Sequence, residues 1–102
     1  MAQFDVFRNA RGGMFPLVVD VQADLHASLA SRVVVPLILR GRAAARPITR
    51  LNPVITLGGA AYVAVFPMMA SVLRTSLGEP VGSLAAHRAT LIGALDLLLT
   101  GS

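Results

Sequence analysis

With 102 residues and no cysteine, the chain suits one domain around one core and excludes both a disulfide framework and any site built on a thiolate. Hydrophobic residues make up 55% of the chain and charged residues 14%, an apolar excess that indicates an interface with a partner or with lipid. The formal net charge is +4 and all nine basic residues are arginine, a balance that suits an acidic protein partner or nucleic acid.

The N-terminal part of the chain predicts a β-hairpin. QFDVFR (3–8) alternates apolar and polar side chains with the period of a half-buried strand. NARGG (9–13) contains the residues of a tight turn, and PLVVDVQ (16–22) is the second predicted strand. The opening residues lack the pattern of a secretory signal, so we expect a cytoplasmic protein.

A loop and a third strand are predicted next. ADLHASLAS (23–31) loses the strand period and predicts a loop with a helical turn. RVVVPLIL (32–39) predicts a strand that contains Pro36. Because proline cannot donate a hydrogen bond to a sheet, Pro36 marks an edge, a bend or a bulge.

An arginine-rich segment separates the two halves of the predicted sheet. GRAAARPITR (41–50) predicts a connecting excursion with room for a small extra hairpin. The arginines in or near it are Arg32, Arg40, Arg42, Arg46 and Arg50. Because neither lysine nor an aromatic residue lies among them, they are typical of a solvated loop, and binding of an acidic protein partner is the main alternative.

Residues 51–73 carry no charge and are long enough to cross a bilayer, so a membrane span is one alternative for this stretch. Against it, the adjacent glycines 58–59 favour a hairpin turn between two strands, PVITL (53–57) and AAYVAVF (60–66). The hairpin is the structure that we predict.

The C-terminal part predicts one more strand and then a helix. MASVLRTSL (69–77) is the last predicted strand, and GEP (78–80) is predicted to end the sheet. VGSLAAHRATLIGALDLLLT (81–100) has helical spacing, with Ser83 as its predicted N-cap.

This predicted helix has more apolar surface than one core needs. One stripe suits the core and consists of Leu84, Leu91, Leu95 and Leu98. Ile92 and Leu99 form a second ridge, and the apolar run continues toward residue 100. The second ridge predicts a protein–protein contact, most simply self-association around a two-fold axis. We assign the dimer interface to Leu95, Leu98 and Leu99.

Little in the sequence suggests catalysis. His26 and His87 are the only histidines, and neither has a carboxylate nearby at the spacing of metal ligands. Asp20 and Asp24 are more typical of pairing with arginines or capping turns than of an acid–base pair. We therefore predict a mostly β binding protein with a C-terminal helix, without metal or cofactor, and not an enzyme.

Taken together, the segments resemble the CcdB toxins of bacterial toxin–antitoxin modules nearly from end to end. The most specific part of the resemblance is VDVQAD followed at the family's distance by RVVVPL. The other similar segments are QFDVFRN (3–9), NPVITLGG (52–59), MMASVL (68–73) and the closing LGEPVGSLAAHRATLIGALDLLLTG (77–101).

This resemblance implies a homodimer built on an SH3-like antiparallel β-barrel with a small β wing and a C-terminal helix. Members of the family bind the A subunit of DNA gyrase and trap its covalent complex with cleaved DNA. They are not enzymes. A cognate antitoxin with an acidic, largely disordered C-terminal region wraps the toxin and displaces it from gyrase. Neither direct nucleic-acid binding nor a membrane is expected.

The resemblance also implies site residues by position. The gyrase contact is expected at the close of the helix and after the second strand, on Leu25, His26, Asp96, Leu99, Thr100, Gly101 and Ser102. Antitoxin binding is expected on arginines of the two arginine-flanked loops, Arg8, Arg11, Arg42 and Arg46.

Two departures from the family pattern keep alternatives open. Family members usually carry a bulky residue after the glycine, where this chain has Ser102, and His26 replaces an apolar residue of many members. A diverged, non-toxic homologue that still dimerises and binds an antitoxin is the first alternative. A ribonuclease toxin of the structurally similar MazF type is the second, with the arginine-rich segment as its RNA contact.

Overall fold

The computed structural model describes residues 2–10, 12–43 and 49–101. Within them lie the strands β1 (Asp5–Asn9), β2 (Leu17–Asp20), β3 (Ser31–Leu39), β4 (Val54–Leu57), β5 (Ala60–Ala64), β6 (Ala70–Leu73) and β7 (Leu77–Ser83), followed by the helix α1 (Arg88–Thr100). Single 3₁₀ turns connect several of these elements, among them Asp24–His26 and Arg40–Arg42.

The described strands form one antiparallel sheet. Its order is β4-β5-β3-β2-β1-β7, and β6 pairs with the first half of β3. The sheet curls into a half-barrel, and its buried face packs against α1 around Phe4, Val19, Leu37, Phe66 and Leu91. The prediction of a mostly β fold with a C-terminal helix is therefore confirmed.

The two predicted hairpins are present. Strands β1 and β2 pair from Val6 with Val19 onward, and strands β4 and β5 pair across a two-residue turn. In that turn Gly58 has φ 59° and Gly59 has φ 82°. A turn with positive φ at both central residues matches the twist of the strands, and glycine adopts it without steric cost. None of the helices in the described part of the chain is long and apolar enough to cross a membrane.

Pro36 lies inside a central strand, at the position where β3 changes partner. Residues 31–34 of β3 pair with β6, and residues 37–39 pair with β5. The Pro36 carbonyl accepts a hydrogen bond from the Val65 amide on this side, 3.0 Å away. Pairing with β6 ends at Val34 and pairing with β5 begins at Leu37, so Pro36 lies between the two partner strands. A residue without an N–H is tolerated at this position because no ladder hydrogen bond is lost there.

The prediction for residues 69–80 was wrong in two respects. The stretch 69–77 is not one strand, because a 3₁₀ turn at Arg74–Ser76 separates β6 from β7. Residues 78–80 do not end the sheet but belong to β7, which pairs with β1. Pro80 is tolerated there because the register shifts on both sides of its pairing with Phe7, on a strand at the end of the sheet order.

The helix begins later than the sequence predicted. Strand β7 extends to Ser83, a 3₁₀ turn follows at Ala85–His87, and α1 starts at Arg88. The Ser83 hydroxyl oxygen accepts a hydrogen bond from the Ala85 amide at 3.1 Å, at the start of the 3₁₀ turn. The prediction of Ser83 as the N-cap of the helix was wrong, because His87 is at that position. At the other end Gly101 has φ 79° and its amide donates to the Leu97 carbonyl, which ends the helix with a left-handed residue.

Candidate functional site

A fully buried ion pair lies where β2 ends. Asp20 and Arg32 both have no exposed surface, and the Arg32 Nε–H donates to Asp20 Oδ2 at 2.8 Å. A second nitrogen of Arg32 donates to the same oxygen. Arg32 thus differs from the arginines of the predicted solvated loop at 41–50, because it lies on β3 and its side chain is inside the protein. The alternative that Asp20 pairs with an arginine is confirmed.

The 3₁₀ turn Asp24–His26 projects from this buried base. None of its residues is buried, and Leu25 is 86% exposed. The turn is held by polar contacts: Asp24 Oδ1 accepts a hydrogen bond from the Gln3 amide at 2.6 Å, and the His26 carbonyl accepts one from Gln22 Nε2 at 2.9 Å. The predicted loop with a helical turn is thus confirmed, and it presents Leu25 and His26 outward.

Phe4 links this region to the start of α1. Its side chain is buried although its φ is 72°, a conformation that a bulky residue adopts only at a cost in strain. The Phe4 amide donates to the Asp20 carbonyl, and the Arg88 guanidinium carbon lies 5.7 Å from the centroid of the Phe4 ring. Arg88 Nη1 also donates to Gln3 Oε1 at 2.9 Å.

The C-terminal turn of α1 forms the other part of the predicted site. Asp96, Leu99, Thr100 and Gly101 are all exposed, and Leu99 is 64% exposed. The Thr100 hydroxyl donates to the Asp96 carbonyl at 2.7 Å. Ser102 lies outside the described residues. This turn therefore presents one large apolar side chain among short ones.

The two parts of the site are attached at different ends of α1. Hydrogen bonds through Gln3 tie the Asp24–His26 turn to Arg88, the first residue of the helix. Leu99 lies eleven residues later, which at 1.5 Å per residue is about 16 Å along the helix axis.

A family model described as CcdB protein matches residues 3–101. The chain belongs to the CcdB family. Membership supports a toxin of the CcdB type.

The residues assigned to the CcdB-type dimer interface differ in exposure. Leu95 and Leu98 are partly buried and pack against the core of their own chain, as Ile92 does. Leu99 is mostly exposed. Of the three leucines, Leu99 therefore has the most surface left for a contact with another chain.

The arginines assigned to antitoxin binding are only partly described. Arg8 is exposed and its Nε lies 3.4 Å from Glu79 Oε2. Arg42 is exposed in the Arg40–Arg42 turn, whereas Arg11 and Arg46 lie outside the described residues. Arg8 also lines a groove of about 870 Å³ whose apolar wall includes Val18, Val34 and Leu77.

No group of histidine, aspartate or glutamate side chains with the arrangement of a metal site occurs among the described residues. His26 is exposed at the Asp24–His26 turn, and His87 is half-buried just before α1. Nothing in the sequence indicated a role at the site for Gln3, Phe4, Gln22 or Arg88. Their contacts join segments that are far apart in the sequence, and no local sequence pattern predicts such contacts.

Proposed function

We propose that this protein is the toxin of a toxin–antitoxin module, acting in the cytoplasm, and that it binds the A subunit of DNA gyrase and traps gyrase on cleaved DNA. Family membership supports the choice of target. The observation that carries the proposal is the exposed C-terminal end of α1, where Leu99 lies beside Asp96, Thr100 and Gly101. A large apolar side chain surrounded by small ones is suited to close approach by another protein.

The proposed active form is a homodimer in which the C-terminal end of α1 in one chain approaches the C-terminal end of α1 in the other. The exposure of Leu99 supports this arrangement, because the core of its own chain does not bury this side chain. Leu99→Asp should give a folded monomer, since a charge would enter the interface and not the core. Sedimentation of the wild type and the variant at the same concentration tests this expectation, and a Leu99→Asp variant that remains a dimer would contradict it.

The proposed partner that neutralises the toxin is an antitoxin with an acidic segment, bound by Arg8, Arg11, Arg42 and Arg46. The proximity of Glu79 to Arg8 means that an acidic segment has to compete with Glu79 for this arginine. Glu79→Gln should therefore strengthen antitoxin binding and Arg8→Gln should weaken it, both less so at high salt. Equal affinities for both variants would argue against a contact at Arg8.

A non-toxic relative is the second candidate. Ser102 follows Gly101 where many family members carry a bulky residue, and an apolar anchor of that kind often dominates an interface. This candidate retains dimerisation and antitoxin binding but not gyrase poisoning. Gyrase-dependent cleavage of DNA in the presence of the purified protein separates it from the first, because only the first candidate gives cleaved DNA.

The test of the proposed function is a titration of gyrase A subunit with this protein and its leucine variants. Leu99→Ala should weaken binding about tenfold or more, as expected for a central interface leucine. Leu73→Ala is a matched control, because Leu73 is 63% exposed and Leu99 is 64% exposed, but Leu73 lies on β6. If both variants bind gyrase A subunit more weakly than the wild type by the same factor, the contact is not at the C-terminal end of α1.

A further inference from the structure

The side chain of Gln22 joins the end of the sheet to the Asp24–His26 turn. Its Oε1 accepts a hydrogen bond from the Val33 amide of β3 at 3.1 Å. Its Nε2 donates to the His26 carbonyl at 2.9 Å. One amide group thus bridges a strand and the turn that carries Leu25.

Gln22 is itself fixed by the buried ion pair. Its backbone N–H donates to Asp20 Oδ1 at 2.9 Å, while Asp20 Oδ2 is occupied by Arg32. Because Asp20 and Arg32 are completely buried, they give Gln22 a rigid base.

Packing contributes little to the position of the turn. The Asp24–His26 turn has no buried residue, and the side chain of Leu25 is 86% exposed. Besides its own 3₁₀ bonds, the turn is held at Asp24 by the Gln3 amide and at its end by three donors. Gln22 Nε2 and the Leu29 amide both donate to the His26 carbonyl, and the Arg74 guanidinium donates to the carbonyl of Ala27, the C-cap. Of these donors Gln22 is the one that ties the turn to β3, so removing its contact should loosen the turn without opening the core.

We propose that Gln22 is a positioning residue that presets the Asp24–His26 turn for its protein partner. This inference rests on the proposed function, which places the gyrase contact partly on Leu25 and His26. A turn held in its bound conformation before association loses less conformational freedom on binding. Gln22 then contributes to affinity through Leu25, without touching the partner itself.

Gln22→Glu separates the two roles of the side chain. A carboxylate can still accept the Val33 N–H, but it has no hydrogen to donate to the His26 carbonyl. Gln22→Met is an uncharged second variant, which excludes repulsion from Asp20 as the cause of any effect. Ile55→Val is a control that loosens the core at β4, far along the chain from the turn.

The first measurement is amide hydrogen exchange in the free protein, which needs no partner. In both Gln22 variants the His26 and Ala27 amides, which close the turn, should exchange about tenfold faster or more. The amides of β2 should be unchanged in Gln22→Glu, and Ile55→Val should leave the turn unchanged. Unchanged exchange of the His26 and Ala27 amides in Gln22→Glu would overturn the inference.

The second measurement is affinity for gyrase A subunit in a double-mutant cycle with Leu25→Ala. Gln22→Glu should weaken binding about tenfold in the wild-type background and far less when Leu25 is already alanine. Equal losses in both backgrounds would overturn a role through Leu25. If the wild type does not bind gyrase while exchange still rises in the variants, the proposed function fails and the positioning of the turn stands.

Discussion

Leu91 and Leu99 belong to the same helix, yet Leu91 is 1% exposed and Leu99 is 64% exposed. Leu91 belongs to an inner region, which we define as the buried face of the sheet, the residues of α1 that pack on it and the buried ion pair Asp20–Arg32. Around Leu99 and the Asp24–His26 turn lies an outer region with little burial.

The difference between the two regions shows that apolar residues have two roles in this chain, folding and association. Inner residues supply the free energy of folding, because their surface leaves water when the sheet and helix form. Outer residues such as Leu25 and Leu99 remain available, so a partner gains the same free energy when it covers them. Substitutions in the inner region should reduce stability, and those in the outer region should reduce association.

The largest effect is expected at the buried ion pair. Arg32→Ala leaves the Asp20 carboxylate buried without its partner, which should cost about 3–5 kcal/mol in the free energy of unfolding. Arg8→Ala removes an ion pair whose side chains are 61% and 81% exposed, and it should cost no more than about 1 kcal/mol. Denaturant unfolding of the three proteins at one concentration measures both values. Equal losses would mean that the Asp20–Arg32 pair is not the buried one in solution.

The next effect distinguishes the two leucines of α1. Leu91→Ala should lower the free energy of unfolding by about 2–5 kcal/mol, because it leaves a cavity between the helix and the sheet. Leu99→Ala should change the stability of one chain by no more than about 0.5 kcal/mol while weakening its association with a partner. Unfolding measured over a range of protein concentrations separates the two terms. A large loss at Leu99 that does not depend on concentration would contradict its assignment to the outer region.

A smaller effect than that of Leu91→Ala is expected at Gly93 on α1, where an added Cβ would have no atom within 4 Å other than its chain neighbours and the backbone of its own helix. Gly93→Ala should raise the free energy of unfolding by roughly 1 kcal/mol, because alanine favours the helix. If the same variant weakens self-association in sedimentation, the face around Gly93 also belongs to an interface, and the outer region is larger than proposed.

Much of the fold followed from local sequence patterns. The paired glycines at 58–59 predicted the β4–β5 turn because positive φ is a local requirement. The burial of Arg32 was not predictable, since an arginine close to four others is typical of a solvated segment and its carboxylate partner lies on another strand. Strand β7 was missed because Pro80 suggests a break, and only the irregular pairing with β1 makes room for it.

The candidate site was predictable in part. Leu25 and Leu99, which the resemblance assigns to the gyrase contact, are both exposed. The contacts that hold the Asp24–His26 turn were not predictable. They depend on Gln3, Gln22 and Arg88, whose partners are set by the way β1, β3 and α1 come together.

The central claim is tested most directly by incubating plasmid DNA with cognate gyrase, ATP and this protein, then denaturing the enzyme and scoring linear DNA. The account predicts linear DNA that requires gyrase, increases with the amount of this protein and falls strongly with Leu99→Ala but not with Leu73→Ala. No cleavage at high protein concentration would contradict gyrase poisoning and would favour the non-toxic relative that binds an antitoxin.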